Sequence, residues 1–154
     1  MKLIAHRGNF NGRNKNRENT LEYIFEAIQV GFDVEVDIWS VNDEFYLGHD
    51  EPIYKITEYE MNLISLKCWY HAKNYKALER LMDRYDNVFF HNADDYTITS
   101  RGYIWSYTGK NVGKLGVVVM PELTPGFEIP SDAYGICSDS LEQFIGYSAE
   151  YGYS

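Results

Sequence analysis

Leu3-Ile4-Ala5-His6-Arg7-Gly8 lies close to the start of the chain, and the organisation of the rest can be worked out from it. Three apolar residues precede a histidine, an arginine and a glycine. This predicts a short buried strand with two polar side chains at its carboxyl end and a turn at Gly8. The other three histidines, His49, His71 and His91, also follow short apolar runs. A single histidine in this position is usually a hydrogen-bonded residue next to the core. Four of them together indicate several strands whose ends place polar groups along one rim of the sheet.

The composition is that of one globular domain spanning residues 1–154. The chain is 45% hydrophobic and 24% charged, and 154 residues are enough for a core. Its net charge of −9 argues against nucleic-acid binding, because a polyanion would be repelled. A local phosphate site remains open, since Arg7, Arg13, Lys15 and Arg17 make the first twenty residues basic.

Cysteine usage and hydropathy predict a cytoplasmic protein. Cys68 and Cys137 lack metal-ligand spacing and are interpreted as buried free thiols. No run approaches the roughly 20 apolar residues of a membrane span, so no stable membrane insertion is expected. The 14 tyrosines suit a small barrel or an interface, which leaves a homodimer open as a partner state.

Acidic and apolar residues alternate in the second predicted strand, over residues 32–39. It follows a helix that begins near Glu18-Asn19-Thr20 and ends at Gly31. Val34, Val36 and Ile38 face one way, and Asp33, Glu35 and Asp37 face the other. On its own this pattern is typical of a surface strand with its acids in water. Inside a barrel the same acids would point inward, and their mutual repulsion would require a cation.

The remaining pattern predicts an α/β fold, a compact (β/α)8 TIM-type barrel. Further strands are predicted over 45–49, 68–72, 87–91, 103–106, 115–120 and 135–138, and further helices over 57–66, 75–85 and 140–151. Eight strands, several of them joined by helices, favour a closed parallel barrel. Such barrels usually take about 250 residues, so several helices here must be shortened or replaced by loops.

Four motifs resemble the glycerophosphodiester phosphodiesterase family, within the phosphatidylinositol-phospholipase-C-like barrel group. They are AHRG at 5–8, ENTLE at 18–22, EVDIW at 35–39 and GHDEP at 48–52. Their order and spacing match together, and they cover the first third of the chain. The later stretches HNADDYTITS, GYIW and GICSDSL resemble a compact subgroup of the same family.

The resemblance implies metal-dependent hydrolysis of a small phosphodiester, such as a glycerophosphodiester, to an alcohol and glycerol phosphate. The implied catalytic residues are His6, Arg7, His49 and Lys73. The implied cofactor is Mg²⁺ or Ca²⁺, held by Glu35 and Asp37. These assignments make chemical sense, because oxygen ligands suit hard cations, histidine titrates near neutrality, and cationic side chains stabilise a charged transition state.

The chain departs from the family at His71, which stands where a metal-binding glutamate is expected. Either His71 is itself a ligand, or Glu122 supplies the missing carboxylate. Asp94 and Asp139 also follow strands and are weaker candidates for the missing carboxylate. Glu18, Asn19 and Asp94 are candidates for binding phosphate or supporting the ligands. For Glu18, a helix-start carboxylate that stabilises the helix dipole is an equally good interpretation.

Two other functions remain open at this point. One is a phosphate-ester-binding barrel that has lost turnover, for which the altered third ligand is the best support. The other is a lyase that forms a cyclic phosphate and stops there. The presence of His6, His49, Arg7 and Lys73 together with the acidic pair favours an enzyme.

Overall fold

The structure, a computed structural model, describes residues 1–150 of the chain. Ten strands lie within this range: β1 (Lys2–His6), β2 (Asp33–Val41), β3 (Glu44–Leu47), β4 (Tyr54–Ile56), β5 (Cys68–Ala72), β6 (Val88–Phe89), β7 (Tyr96–Ile98), β8 (Ile104–Ser106), β9 (Gly116–Val119) and β10 (Gly135–Ser138). The α-helices of the same range are α1 (Leu21–Val30), α2 (Glu58–Ile64), α3 (Tyr75–Met82) and α4 (Ile145–Glu150). Short 3₁₀ turns follow α2 and β9 and precede α4.

All ten strands belong to one mixed sheet that curls into a half-barrel. Its centre is a parallel run in the order β6-β5-β2-β1-β10-β9-β8. β1 therefore pairs with β10, the last described strand. The antiparallel hairpin β3-β4 pairs with the carboxyl-terminal part of β2, from Ile38 to Val41. At the other edge, β7 pairs antiparallel with β8.

The prediction of a (β/α)8 TIM-type barrel is wrong. Residues 1–150 contain four short α-helices instead of eight, and none lies between β6 and β10. Among the described strands, no ladder joins β6 to β8, so the parallel run does not close. β3, which overlaps the strand predicted over 45–49, is antiparallel to β2, since only Asn42 and Asp43 separate the two. Both residues have positive φ, 52° and 63°, which suits a tight hairpin, whereas a parallel crossover needs about a dozen residues.

The predicted helices are present, with shorter bounds. Thr20 caps α1 by accepting the amide of Tyr23, and Gly31 ends the helix at a φ of 113°. Thr57 and Glu60 form the capping box expected at the start of α2. The last predicted helix starts as a 3₁₀ turn, and its predicted end at Tyr151 lies outside the described residues.

Side chains of the sheet alternate between two clusters. Val34, Val36 and Ile38 enter the main core, which also contains the buried faces of α1, α2 and α3. The concave face carries a smaller cluster made of Ile4, Trp69, Phe89, Trp105, Val117 and Cys137. Cys68 and Cys137 are buried free thiols, as predicted. No helix in the described part of the chain combines the length and apolar character that a bilayer crossing needs.

The acids of β2 point to the concave face and are buried, which settles the choice between the surface and inward interpretations. Asp33, Glu35 and Asp37 are 7%, 2% and 1% exposed. Asp33 lies at the amino end of the strand, where its Oδ2 accepts the indole N–H of Trp69 at 3.0 Å. Glu35 and Asp37 lie further along, towards the rim.

Candidate functional site

The carboxyl ends of the parallel strands surround a cavity of about 560 Å³. Polar residues reach it from β1, β2, β5 and the segments that follow β9 and β10. All four histidines line it, which confirms the rim predicted from the sequence. A cavity of this size is in the range of small-molecule sites.

Glu35, Asp37 and His71 lie close together in the cavity, with both carboxylates buried and the imidazole partly buried. His71 lies opposite Asp37 in the register between β5 and β2. Its Nδ1 is 3.1 Å from Asp37 Oδ1 and 3.7 Å from Glu35 Oε1. One potential ligand atom from each residue lies within 4.8 Å of the other two. Of the two sequence-based candidates for the third ligand, His71 is the one in this group.

The orientation of the His71 ring is defined by its other nitrogen. Nε2 lies 2.9 Å from the backbone carbonyl of His91. A carbonyl only accepts hydrogen bonds, so Nε2 carries a hydrogen. The ring also stacks on Phe89, with centroids 5.0 Å apart and planes 15° apart. Nδ1 therefore faces the two carboxylates, where it can form a hydrogen bond or coordinate a cation together with them.

Glu35 and Asp37 are two buried carboxyl groups that repel each other when both are ionised, so a cation between them would stabilise the group. Burial, followed by the charge of Asp37, raises the pKa of Glu35 to about 7. Burial alone would also raise the pKa of Asp37, but the hydrogen bond and charge of His71 and the charge of Arg7 hold it below its usual value. Glu35 Oε2 is buried without a hydrogen-bond partner among the described residues, while the buried Asp37 Oδ1 faces His71 Nδ1 at 3.1 Å. A buried carboxylate pair beside a ring nitrogen fits a divalent metal.

Arg7 connects this group to the basic loop after β1. Its Nη1 donates to Glu18 Oε2 at 3.1 Å, and its Nε lies 3.2 Å from Asp37 Oδ2. Glu18 also accepts from Arg13 Nε at 2.9 Å and from Asn9 Nδ2 at 3.2 Å. Because Glu18 precedes the cap of α1 and is held by these donors, its contacts are those of a residue that orients Arg7.

Asn19 fixes the position of Asp37. Its Nδ2 donates to Asp37 Oδ2 and its Oδ1 accepts the Asp37 backbone amide, each at 3.0 Å. Asn19 is buried and has a φ of 61°, a conformation that asparagine tolerates better than most residues. The sequence-based expectation that Asn19 supports a ligand agrees with this geometry.

His6 and Asp139 form a second hydrogen-bonded pair at the rim. His6 Nδ1 lies 2.9 Å from Asp139 Oδ1, and its Nε2 lies 3.8 Å from Glu35 Oε2. The buried Asn9 donates to the same Asp139 oxygen at 2.9 Å. Burial lowers the pKa of His6, but the hydrogen bond to Asp139 and the charge of Glu35 outweigh it and raise the pKa above its usual value. The sequence identifies Asp139 as a weaker candidate from its position after a strand, and the structure places it in contact with His6.

His49 lines the cavity, and Lys73 lies beside Asp37 on the other side of β2. His49 Nδ1 lies 2.7 Å from Asp50 Oδ1, and burial followed by the charge of Arg7 lowers the pKa of His49. Lys73 Nζ lies 4.0 Å from Asp37 Oδ1. Both predicted catalytic residues are therefore near the carboxylate group.

Glu122 and Asp94 lie outside the group formed by Glu35, Asp37 and His71. Glu122 lines the cavity, but its Oε1 accepts Ser138 Oγ at 2.7 Å and the amide of Asp139 at 3.1 Å. It thus supports the segment that carries Asp139. Asp94 is exposed, and its backbone carbonyl accepts His91 Nε2 at 2.5 Å.

Comparison with protein-family models, curated proteins and solved structures finds no match for this chain. The family likeness therefore remains a resemblance carried by the four motifs.

Proposed function

We propose that this chain is a divalent-metal-dependent phosphodiester hydrolase that cleaves a small glycerophosphodiester to an alcohol and glycerol phosphate. The observation that carries the proposal is the buried group of Glu35, Asp37 and His71, which shares one cavity with His6, His49 and Arg7. Each class of group that diester cleavage requires lies in this cavity: metal ligands, proton donors and acceptors, and cationic side chains.

Glu35, Asp37 and His71 would hold the metal. When bound, a divalent cation supplies Lewis-acid polarisation of a phosphoryl oxygen and neutralises charge that develops on it. Asn19 keeps Asp37 in place, and the carbonyl of His91 keeps Nδ1 of His71 directed at the carboxylates. Such supporting contacts raise ligand basicity and fix ligand orientation.

His6 and His49 are the proposed acid–base pair. One imidazole takes a proton from the attacking water, whose oxygen forms the new bond to phosphorus. The other gives a proton to the departing alkoxide as the bond from phosphorus to that oxygen breaks. Their environments push their pKa values in opposite directions, that of His6 up and that of His49 down, as a division between acid and base requires. Asp139 holds the ring of His6 for this step.

Arg7 and Lys73 are the proposed phosphate-stabilising cations. Arg7 is fixed by Glu18 and Asp37, so its guanidinium needs little reorganisation when a phosphate enters. The occupant is a small soluble diester and not a nucleic acid, because the chain carries a net charge of −9. Two buried free thiols suit the reducing cytoplasm, where we place the activity.

The experiment is hydrolysis of bis(p-nitrophenyl) phosphate and of glycerophosphodiesters by the purified chain, followed by phosphorus NMR. We expect phosphomonoester and alcohol as products, loss of turnover on chelation, and recovery on adding divalent metal. Cyclic phosphate as the end product would assign a lyase instead. Saturable diester binding without turnover, with metal present, would assign a binding protein, and undiminished turnover after exhaustive chelation would remove the metal.

A further inference from the structure

The ligand group contains a ring nitrogen where hard cations prefer oxygen. We infer that Glu35, Asp37 and His71 select a first-row transition divalent cation, such as Mn²⁺, Co²⁺ or Zn²⁺, over Mg²⁺ and Ca²⁺. This inference rests on the metal site of the proposed function, but it does not depend on which reaction the chain catalyses.

The first reason is the donor atom. Nε2 of His71 is a hydrogen-bond donor to the carbonyl of His91, so the nitrogen that faces Glu35 and Asp37 is Nδ1. Imidazole nitrogen binds Mn²⁺, Co²⁺ and Zn²⁺ with affinities that rise along the first row. Mg²⁺ and Ca²⁺ are bound almost entirely by oxygen and gain little from this ligand.

The second reason is the charge of the group. Hard cations bind mainly through the number of negative charges around them. Here two carboxylates are the only acids of the ligand group, and cations already oppose one of them. Arg7 Nε lies 3.2 Å and Lys73 Nζ 4.0 Å from oxygens of Asp37. The coulombic attraction that Mg²⁺ or Ca²⁺ requires is therefore reduced, while the nitrogen donor remains.

The third reason is that the ligand side chains are preorganised by contacts with neighbouring residues. His71 is fixed by a hydrogen bond and by stacking on Phe89, and Asp37 is fixed by Asn19. Glu35 Oε2 is nonetheless buried with no hydrogen-bond partner within residues 1–150, and the buried Asp37 Oδ1 faces His71 Nδ1. Three protein ligands at the wall of an open cavity also leave positions for water and substrate, as in catalytic metal sites.

The test is calorimetric titration of the metal-free full chain with Mn²⁺, Co²⁺, Zn²⁺, Mg²⁺ and Ca²⁺ in separate runs, without substrate. We expect the transition cations to bind at least roughly tenfold more tightly than Mg²⁺ and Ca²⁺. The visible absorbance of bound Co²⁺ provides a second readout of the ligand set. Equal or tighter binding of Mg²⁺ or Ca²⁺ would overturn the inference.

Substitutions at position 71 separate the donor effect from the charge effect. His71→Glu should narrow or reverse the preference by tightening Mg²⁺ and Ca²⁺ and weakening Zn²⁺, and His71→Gln should weaken the transition cations and change the Co²⁺ spectrum. Asn92→Asp adds the same charge to the exposed cavity wall outside the ligand group, so it should leave the order of the cations unchanged. Circular dichroism shows whether each variant is folded. An unchanged order in folded His71→Glu and His71→Gln variants would exclude His71 as a ligand.

The titration of metals and the assay of diester cleavage test the two proposals separately. If the metals bind in the inferred order and no diester is cleaved, the metal inference holds and the proposed function falls. If diesters are cleaved and Mg²⁺ or Ca²⁺ binds more tightly, the proposed function holds and the metal inference falls.

Discussion

Asp37 and His71 lie directly opposite each other on β2 and β5, and Asp37 Oδ1 is 3.1 Å from His71 Nδ1. Parallel pairing of these strands brings the two side chains to the same face and the same level of the sheet. Glu35 lies two residues before Asp37, so it points to the same face one step further from the rim. The alternation of one strand and the register with its neighbour are enough to assemble the ligand group.

We first predict that Asn19→Gly weakens metal binding. Glycine accepts the positive φ of this position, so the variant removes the two hydrogen bonds to Asp37 without backbone strain. Loss of such a supporting contact typically costs 10–100-fold in metal affinity, and we expect a loss in roughly that range. Titration of the metal-free variant measures it. Asn9→Gly, which removes a donor to Asp139 and Glu18, is the matched control and should leave metal affinity close to that of the wild type.

We next predict that His6→Ala and His49→Ala each lower kcat by about 10²-fold or more, as expected for removal of a general acid or base. His91→Ala should lose little, because His71 contacts the backbone carbonyl of residue 91 and the substitution keeps that carbonyl. Steady-state kinetics on one diester checks all three. A His91 variant as impaired as the His6 variant would show that the working pair has been assigned to the wrong histidines.

Asp139→Asn should move the pH dependence of activity. The hydrogen bond to Asp139 raises the pKa of His6 against the lowering effect of burial. Replacing the carboxylate with a neutral amide removes that effect, so the pKa of His6 falls and the corresponding limb of the pH–rate profile moves to lower pH. Comparing kcat/KM profiles of the wild type and the variant tests this. A lowered rate with an unmoved limb would give Asp139 a purely structural role.

The sequence predicts the local features of the molecule better than its long-range strand pairing. The rim of histidines, the α1 caps and the alternation along β2 follow from local patterns, because alternation and capping depend on neighbouring residues. The burial of the β2 acids does not, because the alternation alone favours a surface strand. The open form of the sheet could not be predicted in this way, because it depends on pairing between strands that are distant in the sequence. The two-residue turn at Asn42 and Asp43 makes β3 a hairpin partner of β2, and the short strand β7 has no marked alternation that would have revealed it.

Metal-free protein should lose stability as pH rises from about 4.5 to about 7. The folded pKa of Glu35 is raised from 4.5 to about 7, so the native state binds more protons than the unfolded state in this window. The free energy of unfolding therefore falls with rising pH, by an amount on the order of 3 kcal/mol for this shift. Urea unfolding at several pH values measures it. Glu35→Gln should flatten this part of the profile, and an equally steep loss in that variant would place the titrating group elsewhere.

The last prediction concerns Glu122, the second sequence-based candidate for the third ligand. Its Oε1 accepts hydrogen bonds from Ser138 Oγ and from the amide of Asp139, and it is not part of the group formed by Glu35, Asp37 and His71. Because Glu122 lies outside that group, we expect Glu122→Gln to leave the metal affinity unchanged. Glutamine also retains an oxygen that can accept the two hydrogen bonds. Replacement of charge-assisted hydrogen bonds by neutral ones should lower the free energy of unfolding by about 1 kcal/mol. Calorimetric metal titration and urea unfolding of the same variant separate the two effects. Weaker metal binding with unchanged stability would instead make Glu122 a ligand, because only direct coordination joins that residue to the metal without involving the Asp139 segment.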